Sequence, residues 1–246
     1  MTKKLVSVVT VVYNAAHEIE KTLESISRQK NELMEYIVLD GGSTDGTLEI
    51  LQKYKASIDY LQSKKDGGIY EAMNESLKYV SGIYVININA GDILYEIPYT
   101  LLKEHSRTSA ITAICGVVEV EKDTYVQPEC TRNIRLHNTI PHQGCFYKTE
   151  IFKNETYNTS YRVFADFDLN QRLYKAGKKI ITSSCIIAFH SLRGVSNDKR
   201  YACELFKIVR QNFGLINMAL SWFYFKRQGL KERWKKLNRK TTSSDR

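Results

Sequence analysis

"GIYVININAGD", residues 82–92, passes from a glycine through Ile83–Ile88 into Asn89, Ala90, Gly91 and Asp92. The apolar part has the β-branched and aromatic make-up of a buried strand. A strand that merely ends in a turn uses Gly and Asp for their tolerance of tight backbone geometry. A strand that delivers a metal ligand looks much the same, so this segment alone leaves both readings open.

The flanking sequence decides the fold class. Upstream, 69–80 reads as a helix with Met73, Leu77 and Val80 inward, and Gly82 stands where a C′ glycine belongs. Leu5–Val12 reads as a buried strand, 17–29 as a helix with Ile19, Leu23 and Ile26 on one face, Tyr36–Leu39 as a second strand, and 58–61 as a third. Between the last two, Thr44 or Asp45 can cap a helix reaching Lys55. Strand and helix alternating at this spacing predict right-handed βαβ units and a parallel sheet.

Asn14, Asp40, Asp66 and Asp92 then fall at or just after successive strand ends, 26 residues apart each time. The residues between them do not match, so this is a common unit length rather than a repeat. Its consequence is that four Asx side chains gather at the carboxyl edge of one sheet, where open α/β sheets bind ligands. Acids so placed repel one another unless a cation or a hydrogen-bonding ligand joins them.

The second half is less regular. Strands are expected at 110–120, 124–126, 144–147 and 179–188, a helix at 166–176 closed by Gly177, and helix again from Lys199 to about Arg239. An α/β fold is expected, with residues 1–197 as the main domain (1–95 the regular half, 96–197 the less regular half) and 198–246 as a basic helical extension.

Composition excludes several classes. The 246 residues are 43% hydrophobic and 26% charged, with 3 prolines, which is ordinary for a globular chain. No signal peptide is read at the start, since no small-residue cleavage site follows the first apolar run. Cys115, Cys130, Cys145, Cys185 and Cys203 include no C-x-x-C pair and are expected as free thiols in a reducing compartment. Net charge is +9, but residues 201–246 hold 11 Lys and Arg against 3 Asp and Glu. A basic tail on a balanced domain, without a recognised nucleic-acid motif, gives no reason to expect nucleic acid as a partner. The turn after the first strand, Tyr13-Asn14-Ala15-Ala16-His17, has no glycine and no P-loop lysine. A dinucleotide fingerprint and a sugar-nucleotidyltransferase loop are both missing. Acids at this edge suit hydrogen bonds to base and ribose, with a divalent ion bridging phosphates.

Four stretches in order, "VSVVTVVYNA", "VLDGGSTDGTLEIL", "DGGIYEAMNESL" and "GIYVININAGD", resemble the successive motifs of family 2 glycosyltransferases. The likeness is close over residues 5–95 and looser over 140–196. It implies the A-type fold, with 1–95 as a nucleotide-sugar-binding half and 96–197 as an acceptor half, an inverting transfer from a nucleoside-diphosphate sugar (UDP foremost), and Mn2+ or Mg2+ as cofactor. It further implies a place in bacterial capsule, exopolysaccharide or O-antigen synthesis. Carried over by motif, Asn14 and Ala15 sit under the nucleotide, Asp40 contacts base or ribose with Gly41 in the turn behind it, and Asp66 with Gly67 forms a second nucleotide-side loop. Asp92 matches the last acid of the metal motif. "ADFDLNQRLYKAG", residues 165–177, implies Asp166 as catalytic base, with Asp168 as its partner or substitute. Two departures stand out. Gly91 occupies a position often acidic in the family, and Ala165 replaces a Glu. Both fit a degenerate, non-catalytic homologue that binds a nucleotide sugar or glycan; four retained acids favour an enzyme.

Bland readings stand beside these. Asp45 reads as a helix cap, Asp40 equally as a turn acid, and Asp168 equally as a surface charge. His142, in "PHQG", is placed on the acceptor side or is structural. His190, after a strong strand, is a candidate metal ligand or a structural histidine. In the tail, "FGLINMALSWFYF" (213–225) is too short to cross a bilayer, which needs ~20 apolar residues. The cations Lys226, Arg227, Lys231, Arg233, Lys235, Lys236, Arg239 and Lys240 follow it. That order predicts a helix lying on the anionic inner face of the cytoplasmic membrane, near a lipid-linked acceptor. Packing of the same apolar face onto the domain is the alternative.

Overall fold

A computed structural model describes residues 4–121, 123–191 and 199–241. The first half alternates as read from the sequence: β1 (Val6–Val12), α1 (Ile19–Ser27), β2 (Met34–Asp40), α2 (Thr47–Lys53), β3 (Tyr60–Ser63), α3 (Ile69–Ser76) and β4 (Tyr84–Asn87). There follow β5 (Ile93–Leu94), α4 (Tyr99–His105), β6 (Ile111–Glu121), β7 (Thr124–Val126) and β8 (Cys145–Lys148). The last elements are α5 (Ala165–Lys175), β9 (Lys179–Phe189) and α6 (Ala202–Thr241). The strands form one sheet in the order β3-β2-β1-β4-β8-β6-β9-β5, with β7 on β6. β3, β2, β1 and β4 are parallel; β8 joins β4 and β6 antiparallel. The β4–β8 pairing carries the sheet without a break from the expected nucleotide half into the expected acceptor half.

The uninterrupted apolar run of β1 follows from its position. Val6, Val8 and Val12 pack into one core with Ile19, Leu23, Ile26 and Leu51. Val9 and Val11 point to the other face, into a core with Met73, Phe167, Leu169 and Leu173. A strand covered by helices on both faces buries every side chain, so period-2 alternation disappears.

Three expectations are corrected. β3 begins at Tyr60, not 58, because a 3-10 turn at Lys55–Ser57 takes up the intervening chain. Gly82 is not a helix C′ residue. α3 ends at Ser76, and Gly82 lacks the positive φ of such a cap. It is needed for close packing instead, since a Cβ there would lie 2.6 Å from Ser7 Oγ and 2.7 Å from Ser7 N. Finally, Cys115 and Cys145 are not free thiols. They are register partners across β6 and β8, with Cα atoms 4.2 Å apart, and are disulfide-bonded. Cys130, Cys185 and Cys203 are free, as expected.

α6 spans Ala202–Thr241 with a break at Gly214, whose φ is +83°. No helix among the described residues is long and apolar enough to cross a membrane. The side chains of Lys231, Arg233, Lys235, Lys236, Arg239 and Lys240 lie outside the described residues.

Candidate active site

The carboxyl edge of the parallel strands divides into two clusters. At the outer one, the β1 and β2 loops are stitched together. Asn14 adopts a left-handed φ of +47°, which Asn tolerates better than most residues. Its side-chain oxygen accepts from Thr44 N at 2.9 Å, and its own N–H donates to Ser43 Oγ at 2.8 Å. Ala15 N donates to Thr47 Oγ1 at 3.0 Å. Asp45 behaves as a structural residue, accepting from Thr47 N at 3.1 Å and Ala16 N at 3.0 Å; these bonds hold its carboxyl below the usual range, the Ala16 bond foremost.

Asp40 is buried and turned into its own loop. It accepts from Gly42 N at 3.1 Å, from Ser43 N at 3.1 Å, from the Ser43 hydroxyl, and from Ser63 Oγ at 2.6 Å. Asp66 comes next to it, because Gly41 has no Cβ: one built there would stand 2.9 Å from Asp66 Oδ2. Burial, with the charges of Glu71 and Asp40, pushes the Asp66 carboxyl up, against the Gly68 N–H bond that lowers it. Gly67 closes that loop, its carbonyl accepting from Arg162 Nη1 at 3.1 Å. A shallow cleft lined by Leu39, Asp40, Gln62, Lys64, Asp66 and Glu71 runs here. Beside it Tyr13 is 64% exposed and its ring edge borders Gly41. The sequence reading did not single out Tyr13.

The inner cluster forms where "NAGD" leaves β4. Gly91 takes φ +93°, and its N–H donates to Thr22 Oγ1 at 3.0 Å while that hydroxyl donates to Asp92 O at 2.7 Å. Helix α1 thereby pins the turn. Asp92 is buried, and its Oδ1 lies 2.8 Å from His190 Nδ1 and accepts from Ser191 N at 3.2 Å. His190 Nδ1 is also 2.7 Å from Gln143 Nε2. One residue earlier, on the 3-10 turn 142–144, His142 Nδ1 lies 3.0 Å from Asp166 Oδ2, and its Nε2 lies 3.5 Å from Asn89 Nδ2. Tyr70 donates to Asp166 Oδ1 at 3.2 Å and to the Val163 carbonyl. Asp92, His190, Gln143, His142, Asn89, Asp166 and Tyr70 are thus linked, although some are 98 residues apart. Gln143, Asn89 and Tyr70 are absent from the sequence-derived set, because nothing in their local spacing signals the meeting.

Burial alone would push the Asp166 carboxyl up. The hydrogen bond and charge of His142 outweigh it and hold the acid below its ordinary value. Burial would likewise lower His142, but the bond to Asp166 and the charges of Asp166 and Asp92 raise it. Asp166 is therefore a carboxylate at neutral pH, with lone pairs left after its two partners.

Asp168 does not join this cluster. Its Oδ2 accepts from Arg172 Nε at 2.9 Å and its Oδ1 from Asn212 Nδ2 at 3.0 Å. It ties α5 to α6, and its carboxylate is spent there rather than beside Asp166.

Among the described residues, no three His, Cys, Asp or Glu side chains form a group that could hold a metal ion unaided. Asp92 and His190 offer one carboxylate and one imidazole. The buried Oδ1 of Asn89 has no hydrogen-bond partner among the described residues. This donor set fits Mn2+ or Mg2+ only when a ligand's oxygens complete the shell.

The comparisons with known proteins agree with this architecture. The sequence matches the family described as "Glycosyl transferase family 2" over residues 7–175. A PGL/p-HBAD biosynthesis glycosyltransferase of Mycobacterium bovis is 26% identical over 232 residues, covering 88% of this chain and 90% of that one. S. aureus TarS 1–349 in complex with UDP superposes with a TM-score of 0.66 at 17% identity, over 85% of this chain and 65% of TarS 1–349. The chain thus spans just under two thirds of that structure. A mannosyltransferase of Pyrobaculum calidifontis in complex with GDP-Man and Mn2+ gives 0.66 at 18% identity, over 90% of this chain and 70% of the other. The fold is the A-type glycosyltransferase fold. Together with a family match that runs from the start of β1 to the end of α5, it makes this chain a member of glycosyl transferase family 2.

Proposed function

We propose that the chain is an inverting transferase that moves one sugar from a nucleoside-diphosphate donor, UDP-linked, to a lipid-linked glycan acceptor. The setting is bacterial cell-surface polysaccharide synthesis at the inner face of the cytoplasmic membrane. The observation that carries this reading is the junction of a metal-suited pair, Asp92 and His190, with a shielded carboxylate, Asp166, through Gln143, His142 and Asn89. The mycobacterial relative's name as a PGL/p-HBAD biosynthesis glycosyltransferase, and the UDP and the GDP-Man with Mn2+ bound by the structural neighbours, support it.

The outer cluster takes the nucleoside. Asn14 and Ala15 form its floor, Tyr13 offers a stacking face for the base, and Asp66 with Gly67 borders the ribose. Asp40 acts through the Gly41–Ser43 loop it holds. Asp92, His190 and the free Asn89 oxygen would hold Mn2+ or Mg2+, which when bound supplies positive charge against the donor diphosphate. Asp166 is the base. As the acceptor oxygen bonds to the anomeric carbon, the bond from that carbon to the diphosphate breaks, the hydroxyl proton passes to Asp166, and the nucleoside diphosphate leaves. His142 and Tyr70 orient the carboxylate, and His142 faces the acceptor side. One displacement inverts the anomeric centre. In this reading 1–95 is the donor half, 96–197 the acceptor half and 198–246 an extension.

The test incubates the full chain and Mn2+ with UDP-, GDP- and TDP-sugars, with and without a lipid-linked glycan, and follows nucleoside diphosphate release. One donor is expected to react, faster with acceptor, and NMR of the product is expected to show inversion. Gly91 and Ala165 favour the second reading, a non-catalytic nucleotide-sugar or glycan-binding homologue. Tight UDP binding with no turnover of any donor would select it.

A further inference from the structure

Beyond Gly214, α6 seats Met218, Ser221 and Tyr224 against the domain and turns a broad apolar face outward. Ser221 Oγ donates to Leu136 O at 2.6 Å, Tyr224 stacks on His137 with centroids 4.3 Å apart, and Asn217 Nδ2 donates to Phe213 O at 2.9 Å. On the opposite side Leu215, Ile216, Leu220, Trp222 and Phe223 are 60%, 77%, 51%, 47% and 60% exposed. At about 100° per residue these fall on one broad face. Lys226 and Arg227 continue it one turn on, both exposed, with Lys226 Nζ 4.7 Å from the Trp222 ring centroid. A contiguous exposed apolar face of this kind marks a binding surface.

We propose that this face docks into the headgroup layer of an anionic membrane leaflet. Charge selects lipid over a second copy of the chain. Residues 201–246 carry 11 Lys and Arg against 3 Asp and Glu, so pairing two such helices opposes cation to cation, whereas an anionic surface supplies the missing sign. The helix is not apolar enough to span, and it lies in the interface with Trp222 and Phe223 in the headgroup–acyl boundary. The part of α6 before the Gly214 break, continuous in chain with the docked face, holds the acceptor side of the site. Asn212 donates to Asp168 Oδ1 and Gln171 Oε1 on α5, at 3.0 and 3.1 Å, two residues from Asp166 and beyond. Glu204 accepts from Arg162 N and Val163 N at 2.8 and 3.0 Å. Docking therefore brings the base-bearing helix to the surface where a lipid-linked acceptor is held. In that respect the inference rests on the proposed function, but its test reads lipid binding without sugar transfer, so the two fail separately.

The full chain is sedimented with phosphatidylcholine vesicles, with and without phosphatidylglycerol, at low and high salt. Wild type is expected to sediment with the anionic vesicles and to be released by salt. Leu220→Ser/Phe223→Ser and Lys226→Glu/Arg227→Glu are each expected to bind at least about tenfold more weakly. Their melting temperatures should stay at the wild-type value, because these side chains are exposed. Absence of wild-type binding, or equal binding by wild type and both variants, would overturn the proposal. So would a concentration-dependent dimer that disappears in Leu220→Ser/Phe223→Ser while vesicles capture nothing; that result would assign the face to a second copy.

Discussion

Asp166 and Asp168 stand two residues apart on α5, both buried, and conservative amidation of each should damage different properties. Asp166→Asn removes the proposed proton acceptor while keeping the side chain's size and the Tyr70 hydrogen bond. A positioned base contributes ~10²–10⁴-fold, or about 3–5 kcal/mol of barrier. Stability should fall only modestly, by the loss of the His142 pairing, because His142 can shed its proton once the carboxylate is gone and no buried charge is stranded. Asp168→Asn leaves the site untouched but weakens the anchor to Arg172 and Asn212. Arg172 keeps Glu155 and the Thr156 carbonyl, so the loss is about 2 kcal/mol rather than the full cost of an orphaned buried ion. For a chain of this size that lowers Tm by roughly 4–8 °C. The assay pairs nucleoside diphosphate release under saturating donor with a melting curve for each variant. Asp166→Asn should be slow and the more stable of the two, and Asp168→Asn active and less stable. A dead but fully stable Asp168→Asn beside a near-wild-type Asp166→Asn would refute the assignment of the base and the reading of α5 with it.

Other outcomes follow from the same contacts. Gly82→Ala should lower stability by about 1–3 kcal/mol, since its Cβ would meet the Ser7 backbone at 2.7 Å; an unchanged Tm would contradict this packing role. Tyr13→Ala should weaken UDP affinity by roughly tenfold at constant Tm, the side chain being exposed; equal affinity would remove Tyr13 from the nucleoside site. His142 has a raised folded-state value, so its stabilising contribution is complete below its ordinary pKa and fades as pH climbs through the raised one. Asp166, depressed, loses its contribution only as pH falls through its lowered value in acid. The Tm advantage of wild type over His142→Gln should therefore shrink from about pH 6 towards pH 9; an advantage that grows over that range would reverse the sign of the coupling.

What could be read in advance was whatever chain-local periodicity encodes. The βαβ alternation, the strands at 111–121 and 179–189 and the α5 helix with Gly177 behind it stand close to their expected limits. The 26-residue spacing correctly gathered Asx residues at one edge, but not what they touch there. Asp40 and Asp66 differ because Gly41 lets Asp66 approach while Ser43 and Ser63 take up Asp40, and such contacts span loops. The disulfide was hidden because Cys115 and Cys145 meet only through strand register. Gln143 and Asn89 carry no signature at all until β9 brings His190 back to Asp92. For α6, composition named the apolar and basic segments, yet the outward orientation of Trp222 and Phe223 depends on Ser221 and Tyr224 finding Leu136 and His137.

The proposed transfer requires the carboxyl edge to bind a nucleoside diphosphate together with a divalent ion through Asp92. Calorimetric titration of UDP into wild type and Asp92→Ala, each with and without Mn2+, tests it most directly. Mn2+ is expected to tighten UDP binding to wild type by at least about tenfold, the loss typical of removing a group that supports a bound metal. In Asp92→Ala, UDP should still bind weakly through the outer cluster, and Mn2+ should make no difference. UDP affinity that is indifferent to Mn2+ in wild type, or equally enhanced by Mn2+ in both proteins, would remove Asp92 from metal binding.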